Sequence, residues 1–526
     1  MGEGRSIVIA GGGTAGWLTA CYLARVLGTK SPGGPKITVV ESPEIGIIGV
    51  GEGTFPTIRT TLAALGIDEA RFLRESSATF KQGVRFDHWA RTPVNGGSHY
   101  FHPFEFPHRV AGAELLPFWL LGDAGPHVSL ADAVTIQKRV ADAALAPKRA
   151  HDADYSAPLN YAYHFDASRF ANLLATVAQE YGVTHVADTI ESVELDETGA
   201  IAGVVTRAHG TLRGDLYVDC TGFRAKLIGE ALKVPFVSCR DSLWTDRAVT
   251  CQVPYERDDG PIASYTIATG HEAGWTWDIG LGNRRGIGYV YSSAHSSDDR
   301  AESVLRAYIG SQHEQKPVRV LKFEAGYRER PWVRNCVAVG LSAGFFEPLE
   351  STGIMLIEVA AAMIADFFAW SGDLSAPAMR FYDLMSRRCK NIVNFLKLHY
   401  CTSLRPEDFW RDNRRPESIP EPLRALLTEW RHRPPCRFDF VTDHETFPHF
   451  SYQYVLYGMG FETDFSAART RYGASGAARQ AFGQLRSLAQ RALSDLPTHR
   501  ALIEQVYRHG FTAKPEASGN EMSRRT

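Results

Sequence analysis

The run Ser6-Ile7-Val8-Ile9-Ala10-Gly11-Gly12-Gly13-Thr14-Ala15-Gly16 decides the fold. Its first five residues have an apolar, β-branched centre and read as a buried strand that the glycines end. Gly11, Gly13 and Gly16 form a GxGxxG frame that opens a helix from Thr14 to about Leu27. In such a frame the first glycine permits the tight turn. The second lets backbone approach a pyrophosphate, and the third packs helix on strand. The free N–H groups of the helix start, around Thr14 and Ala15, favour phosphate there. A second buried strand, Lys36–Glu41, ends in an acid placed to accept hydrogen bonds from a ribose. Together these elements predict a Rossmann-like dinucleotide-binding α/β unit.

The chain returns to the same site further on. Asp215–Cys220 reads as another buried strand ending in Thr221-Gly222, and Cys336–Gly340 as one more, before Leu341-Ser342-Ala343-Gly344. Ser192–His209 reads as a hairpin turning at 196–199, and residues 245–292 alternate as antiparallel strands. Residues 90–160, rich in Pro, Gly, His and aromatics, read as an inserted substrate or lid region. Residues 1–374 then form the cofactor-binding body, 375–513 a mainly helical substrate region, and 514–526 a disordered tail. A second strand–GxGxxG–helix unit for a nicotinamide cofactor is absent from the sequence, which predicts a flavin that arrives reduced or is reduced by a partner.

Composition excludes several classes. With 57 Lys+Arg against 59 Asp+Glu, a net charge of −2 offers no field for nucleic acid. Hydrophobic residues at 44% and charged residues at 22% exclude disordered and fibrous chains. The 8 cysteines form no CxxC pair, so no zinc pattern and no secreted disulfide framework is expected. The longest apolar stretch, Ile354–Trp370, is interrupted by Glu358 and Asp366; a membrane span needs about 20 nearly uncharged residues. With no signal-peptide core at the N-terminus, the expected location is the cytoplasm. Dimerisation is the default expectation.

Three further motifs carry a resemblance. They are Gly49-Val50-Gly51-Glu52-Gly53-Thr54-Phe55-Pro56, Trp275-Thr276-Trp277-Asp278-Ile279 and Glu347-Pro348-Leu349-Glu350-Ser351-Thr352-Gly353. With Phe80-Lys81-Gln82-Gly83-Val84-Arg85-Phe86, Tyr161–Asp166 and Arg284–Tyr291 they resemble, in order and over most of the chain, the flavin-dependent halogenases of the tryptophan type. The resemblance implies an aromatic-hydroxylase-type FAD fold with an inserted antiparallel sheet and a helical C-terminal region. It implies FAD, supplied as FADH2 by a separate NAD(P)H-dependent reductase, with O2 and chloride or bromide as co-substrates and no metal. Hypohalous acid would pass through an internal passage to Lys81, which hydrogen-bonds it or becomes a haloamine. Bromination is the expectation that halide chemistry favours.

By the same resemblance, Glu350 polarises the hypohalous acid or takes the ring proton. Thr352 and Gly353 hold halide beside the flavin. Gly49, Gly51, Glu52, Gly340 and Ser342 join Gly11, Gly13, Thr14, Ala15, Gly16 and Glu41 at the cofactor, although many relatives carry Asp at about the place of Ser342. Trp275 and Trp277 separate flavin from substrate; the family pattern there ends Ile-Pro, and this chain has Ile279-Gly280. His102, Phe104 and Tyr454 are the candidate contacts to tryptophan, indole or a related electron-rich aromatic. Two other readings stay open on sequence: an aromatic hydroxylase on the same fold, and a flavin-binding protein without turnover. Neither needs Lys81, the tryptophan pair and Glu350 together.

Overall fold

A computed structural model describes residues 5–46, 49, 51–91, 99–110, 112–441, 444–473 and 476–512. The tail expected from 514 lies outside the described residues. The nucleotide-binding sheet runs Thr184–Ala187, Lys36–Glu41, Ser6–Ala10, Leu216–Asp219, Cys336–Ala338, Trp332–Val333, in that order. The first five are parallel and the last is antiparallel. Val40, Ala10, Asp219 and Ala338 stand in one row across it. The chain therefore leaves four strands at one level, at the carboxyl edge where open α/β sheets bind their ligands.

The glycine frame does what its spacing demands. A Cβ on Gly16 would lie 1.8 Å from the Gly11 carbonyl oxygen, and one on Gly11 would lie 2.3 Å from that of Cys220. Helix and strands thus approach closer than any side chain allows. Asp219, fully buried at its strand end, accepts from the backbone N–H groups of Thr221, Leu227 and Ile228 and so fixes the turn beside the glycines.

A second, seven-stranded sheet lies beyond. Its order is Arg319–Lys322, Arg247–Pro254, Arg284–Tyr291, Gly274–Gly280, Thr266–His271, Gly83–Asp87, His99–Pro103. All its pairings are antiparallel except Thr266–His271 with Gly83–Asp87. A small sheet of Glu52–Gly53, Ala162–Phe165 and Thr79–Lys81 sits beside it. The chain crosses between the two sheets at Gln82-Gly83, where a Cβ on Gly83 would lie 2.3 Å from the His102 carbonyl oxygen. That crossing fixes Lys81 on one sheet and places His102 against the next.

Within the stretch 90–160 read as an insertion, His99–Pro103 is an integral strand of the large sheet. Leu115, Leu130, Val134 and Leu145 share a core with Phe450, Tyr454 and the helix Gly476–Asp495, whereas Ala146 joins the core under the parallel sheet. The long helix Ser375–Cys401 contributes Phe381 to the core under the parallel sheet and Phe395 to the core beside the antiparallel one. Among the described residues no helix is long and apolar enough to cross a membrane.

Candidate active site

A cavity of about 660 Å³ opens at the carboxyl edge of the parallel sheet. It is lined by Gly11, Gly13, Thr14, Ala15, Glu41, Gly49, Gly51, Glu52 and Gly340, and on its far side by Trp277, Ser351, Thr352 and Gly353. Two helix starts face it, at Thr14 and at Thr352, and no side chain caps either. Uncapped N–H groups with the positive end of the dipole favour anions. Cβ atoms on Gly13 and Gly353 would meet nothing within 4 Å, so open space lies against the backbone at both starts. Gly340 needs its missing side chain, because a Cβ there would lie 2.6 Å from that of Ala15. Burial raises the Glu52 carboxyl to about 7, so near neutrality this wall is only partly charged.

These features fit a dinucleotide with its pyrophosphate at Thr14 and a small anion at Thr352. If the dinucleotide is FAD, Gly13→Ala is expected to weaken its binding about tenfold, about 1.4 kcal/mol, with the melting temperature of the cofactor-free protein unchanged. Flavin fluorescence titration beside a thermal melt checks this; undiminished affinity contradicts the assignment. Ser342 does not line the cavity. Its hydroxyl is buried and donates to the carbonyls of Asp219 and Val339, so it braces the loop, and any contact to a cofactor falls to the backbone around it.

Lys81 lies behind the cavity wall. Its ammonium donates to the Ser351 hydroxyl at 2.9 Å and to the Thr54 carbonyl at 3.3 Å, and it is 1% exposed. Ser351 adopts a left-handed backbone, φ 57°, at the start of the helix Thr352–Asp366. Burial pulls the Lys81 pKa down to about 7, although the Glu350 charge nearby pulls the other way. A lysine so placed exchanges its proton near neutrality, as a surface lysine does not.

The same burial makes Lys81 a source of instability. From about 7 up to its ordinary 10.5, the unfolded chain holds a proton that the folded protein has released, so stability rises with pH across that window. Lys81→Met is therefore expected to be more stable than wild type near neutrality, by about 1–3 kcal/mol. The gap should narrow toward pH of about 10, where the unfolded lysine also loses its proton. Denaturant unfolding at both pH values checks it; a gap that does not change with pH contradicts it.

Glu350 is 2% exposed and sits between two imidazoles. His102 Nδ1 hydrogen-bonds its Oε1 at 2.9 Å. His399 Nε2 lies 3.1 Å from the same oxygen, off the ideal hydrogen-bond line. Burial pushes the carboxyl up, but the two histidines outweigh it and hold the pKa near 2. Glu350 is thus a permanent anion at any working pH. On the other side of His399, the Tyr100 hydroxyl meets Nδ1 at 2.9 Å.

Aromatic rings extend from this centre. Phe104 lies under the Lys81 ammonium, 5.3 Å from nitrogen to ring centroid. Phe55 links Phe104 to Phe447, and Phe447 stacks on Phe395 at 3.8 Å. His102 lies 5.9 Å from Phe395 and 6.1 Å from Tyr454. Trp275 and Trp277 share one strand with ring centroids 6.4 Å apart. Trp277 faces the cavity, over Gly288, where a Cβ would lie 2.2 Å from its ring; Trp275 is packed behind it against Trp89.

The structure thus brings Lys81, Glu350, His102 and Phe104 to one centre, with Thr352, Gly353 and Trp277 at the adjoining cavity. Sequence reading missed His399, Ser351, Phe395 and Phe447. Of these Ser351 stood inside a quoted motif; the other three carry no local signal. Among the described residues no cluster of His, Cys, Asp or Glu has metal-site geometry.

Residues 6–472 match the family model described as tryptophan halogenase. The tryptophan 6-halogenase SttH of Streptomyces toxytricini is 37% identical over 86% of this chain and 89% of its own. The tryptophan 7-halogenase RebH of Lentzea aerocolonigenes is 32% identical over 95% and 98%. The crystal structure of tryptophan halogenase from Shewanella frigidimarina superposes with a TM-score of 0.91 at 39% identity, covering 97% of this chain and 98% of that one.

Proposed function

Because this chain belongs to the tryptophan halogenase family and is a flavin-dependent halogenase, we propose that it places an electrophilic halogen, held at Lys81, on the indole ring of tryptophan. The observation that carries this reading is the buried Lys81 ammonium, bonded to Ser351 behind the cavity wall and flanked by Glu350 and Phe104.

FAD, delivered reduced by a separate NAD(P)H-dependent reductase, is the cofactor proposed for the cavity; with oxygen and halide it supplies hypohalous acid. Thr14 and Ala15 hold its pyrophosphate and Glu41 its ribose. The N–H groups of Thr352 and Gly353 hold the halide. Trp277, backed by Trp275, keeps the substrate ring off the cofactor. Lys81 donates a hydrogen bond to the oxygen of hypohalous acid, which makes the halogen more electrophilic, and fixes it beside the aromatic surface. The Glu350 anion favours the charged form of that ammonium against the pull of burial. Phe104 stacks against the electron-rich ring and His102 meets it edge-on.

The substrate is tested by competition. Purified protein with FAD, reductase, NADH, oxygen and bromide is given equal L-tryptophan and indole, and products are identified by mass spectrometry. Bromotryptophan is expected; bromoindole alone overturns the assignment to the amino acid.

A further inference from the structure

We propose that His102 takes the proton the ring loses, with Glu350 as the carboxylate that orients it. This rests on the halogenase reading and goes beyond it by separating the roles of two residues.

The hydrogen bonds around Glu350 assign the protons. Burial and the Glu350 charge hold the Tyr100 hydroxyl far above its ordinary range, so it stays a neutral phenol. Its hydroxyl pairs with His399 Nδ1, 2.9 Å away, and His399 Nε2 stands 3.1 Å from Glu350. Burial also keeps His399 neutral. Glu350, ionised, can only accept, so His102 Nδ1 donates to it at 2.9 Å, with His399 Nε2 close by at 3.1 Å. With Nδ1 carrying the proton that faces Glu350, the lone pair of His102 is on Nε2. A carboxylate that fixes the tautomer of an imidazole and stabilises its charged form makes that imidazole a general base.

Glu350 is badly placed to keep the proton itself. The two imidazoles hold its carboxyl near 2 against the upward push of burial, so it is a weak proton acceptor.

The step balances as follows. A π pair of the ring attacks halogen in hypohalous acid. The halogen–oxygen bond breaks, and its pair leaves on oxygen, which takes a proton from the Lys81 ammonium to become water. The ring carbon, now bearing halogen and hydrogen, loses the hydrogen as a proton. The C–H pair restores the aromatic system, and the proton forms an N–H bond at His102 Nε2. The imidazolium is balanced by Glu350, and the proton returns through solvent to Lys81.

The test uses the full-length protein with FAD, reductase and bromide, and compares ring-protiated with ring-deuterated L-tryptophan. Wild type should show no isotope effect, because halogen transfer limits the rate. His102→Phe keeps a ring for stacking, so KM should stay near wild type. Its kcat should fall about a hundredfold or more, and deuterium should now slow product formation. His102→Asn gives the same reading should His102→Phe not fold. Halogenation without an isotope effect in either variant overturns the role of His102 alone, however far the rate falls. No halogenated product from wild type overturns the halogenase reading as well.

Discussion

Lys81→Ala is expected to abolish halogenation while oxygen continues to reoxidise the flavin. The side chain lies outside the cavity proposed for the dinucleotide, behind Ser351 and Gly53 of its lining. Cofactor binding and oxygen chemistry should therefore survive. What disappears, in the proposed mechanism, is the group that fixes and polarises hypohalous acid, a small neutral oxidant that otherwise diffuses away. Loss of one preorganised donor at a reacting centre costs about 10²–10³-fold, and loss of positioning adds to it. Lys81→Arg should not rescue, since a guanidinium never gives up its proton and cannot fit the same two acceptors. Product by mass spectrometry beside oxygen uptake separates the outcomes. Halogenation that persists above about a tenth of wild type would remove Lys81 from its post.

Glu350→Gln should be nearly as severe, with a fall in kcat of about 10²–10⁴-fold and little change in KM. Glutamine keeps the shape but not the charge. His102 and Lys81 both lose the anion they face, so the effect lies in the chemical step. The pH profile makes this specific. Halogenation by the ammonium form should fall as pH rises through about 7, where Lys81 loses its proton. Glu350 raises that pKa by its charge, so Glu350→Gln should move the falling limb to lower pH. A limb that does not move, or moves up, contradicts the electrostatic coupling of the two residues.

The first forty residues were open to sequence reading because their signals are contiguous in sequence, although Ser6–Ala10 also pairs with the distant strand Leu216–Asp219. Strand, glycine turn, helix and acid-ended strand occupy Ser6–Ala10, Thr14–Leu27 and Lys36–Glu41 in the structure, as their patterns predict. The antiparallel strands after 245 were also legible. Their sheet was not, because Gly83–Asp87 joins it by pairing with Thr266–His271, far along the chain. No periodicity encodes such a pairing, and so the strand His99–Pro103 read as part of an insertion.

The site divides the same way. Lys81 and Glu350 stand in motifs and were named on those motifs. His399 sits inside a 27-residue helix, where a buried histidine looks like ordinary core. Only the fold brings it to Glu350, and its neighbour Tyr400 donates to Glu347 at 2.6 Å. Two adjacent helix residues thus clamp both acids of the Glu347-Pro348-Leu349-Glu350 segment. Ser342 shows the converse, a residue in the right loop whose side chain is spent on bracing it.

The measurement that bears most directly on the central claim is one coupled reaction. Purified protein, FAD, a flavin reductase, NADH, oxygen and L-tryptophan are incubated with and without bromide, and the product mass is read. The account predicts a ring-brominated product with the paired isotope pattern of bromine, absent without bromide and absent with Lys81→Ala. A product that has gained oxygen in place of halogen, formed equally without bromide, would contradict it.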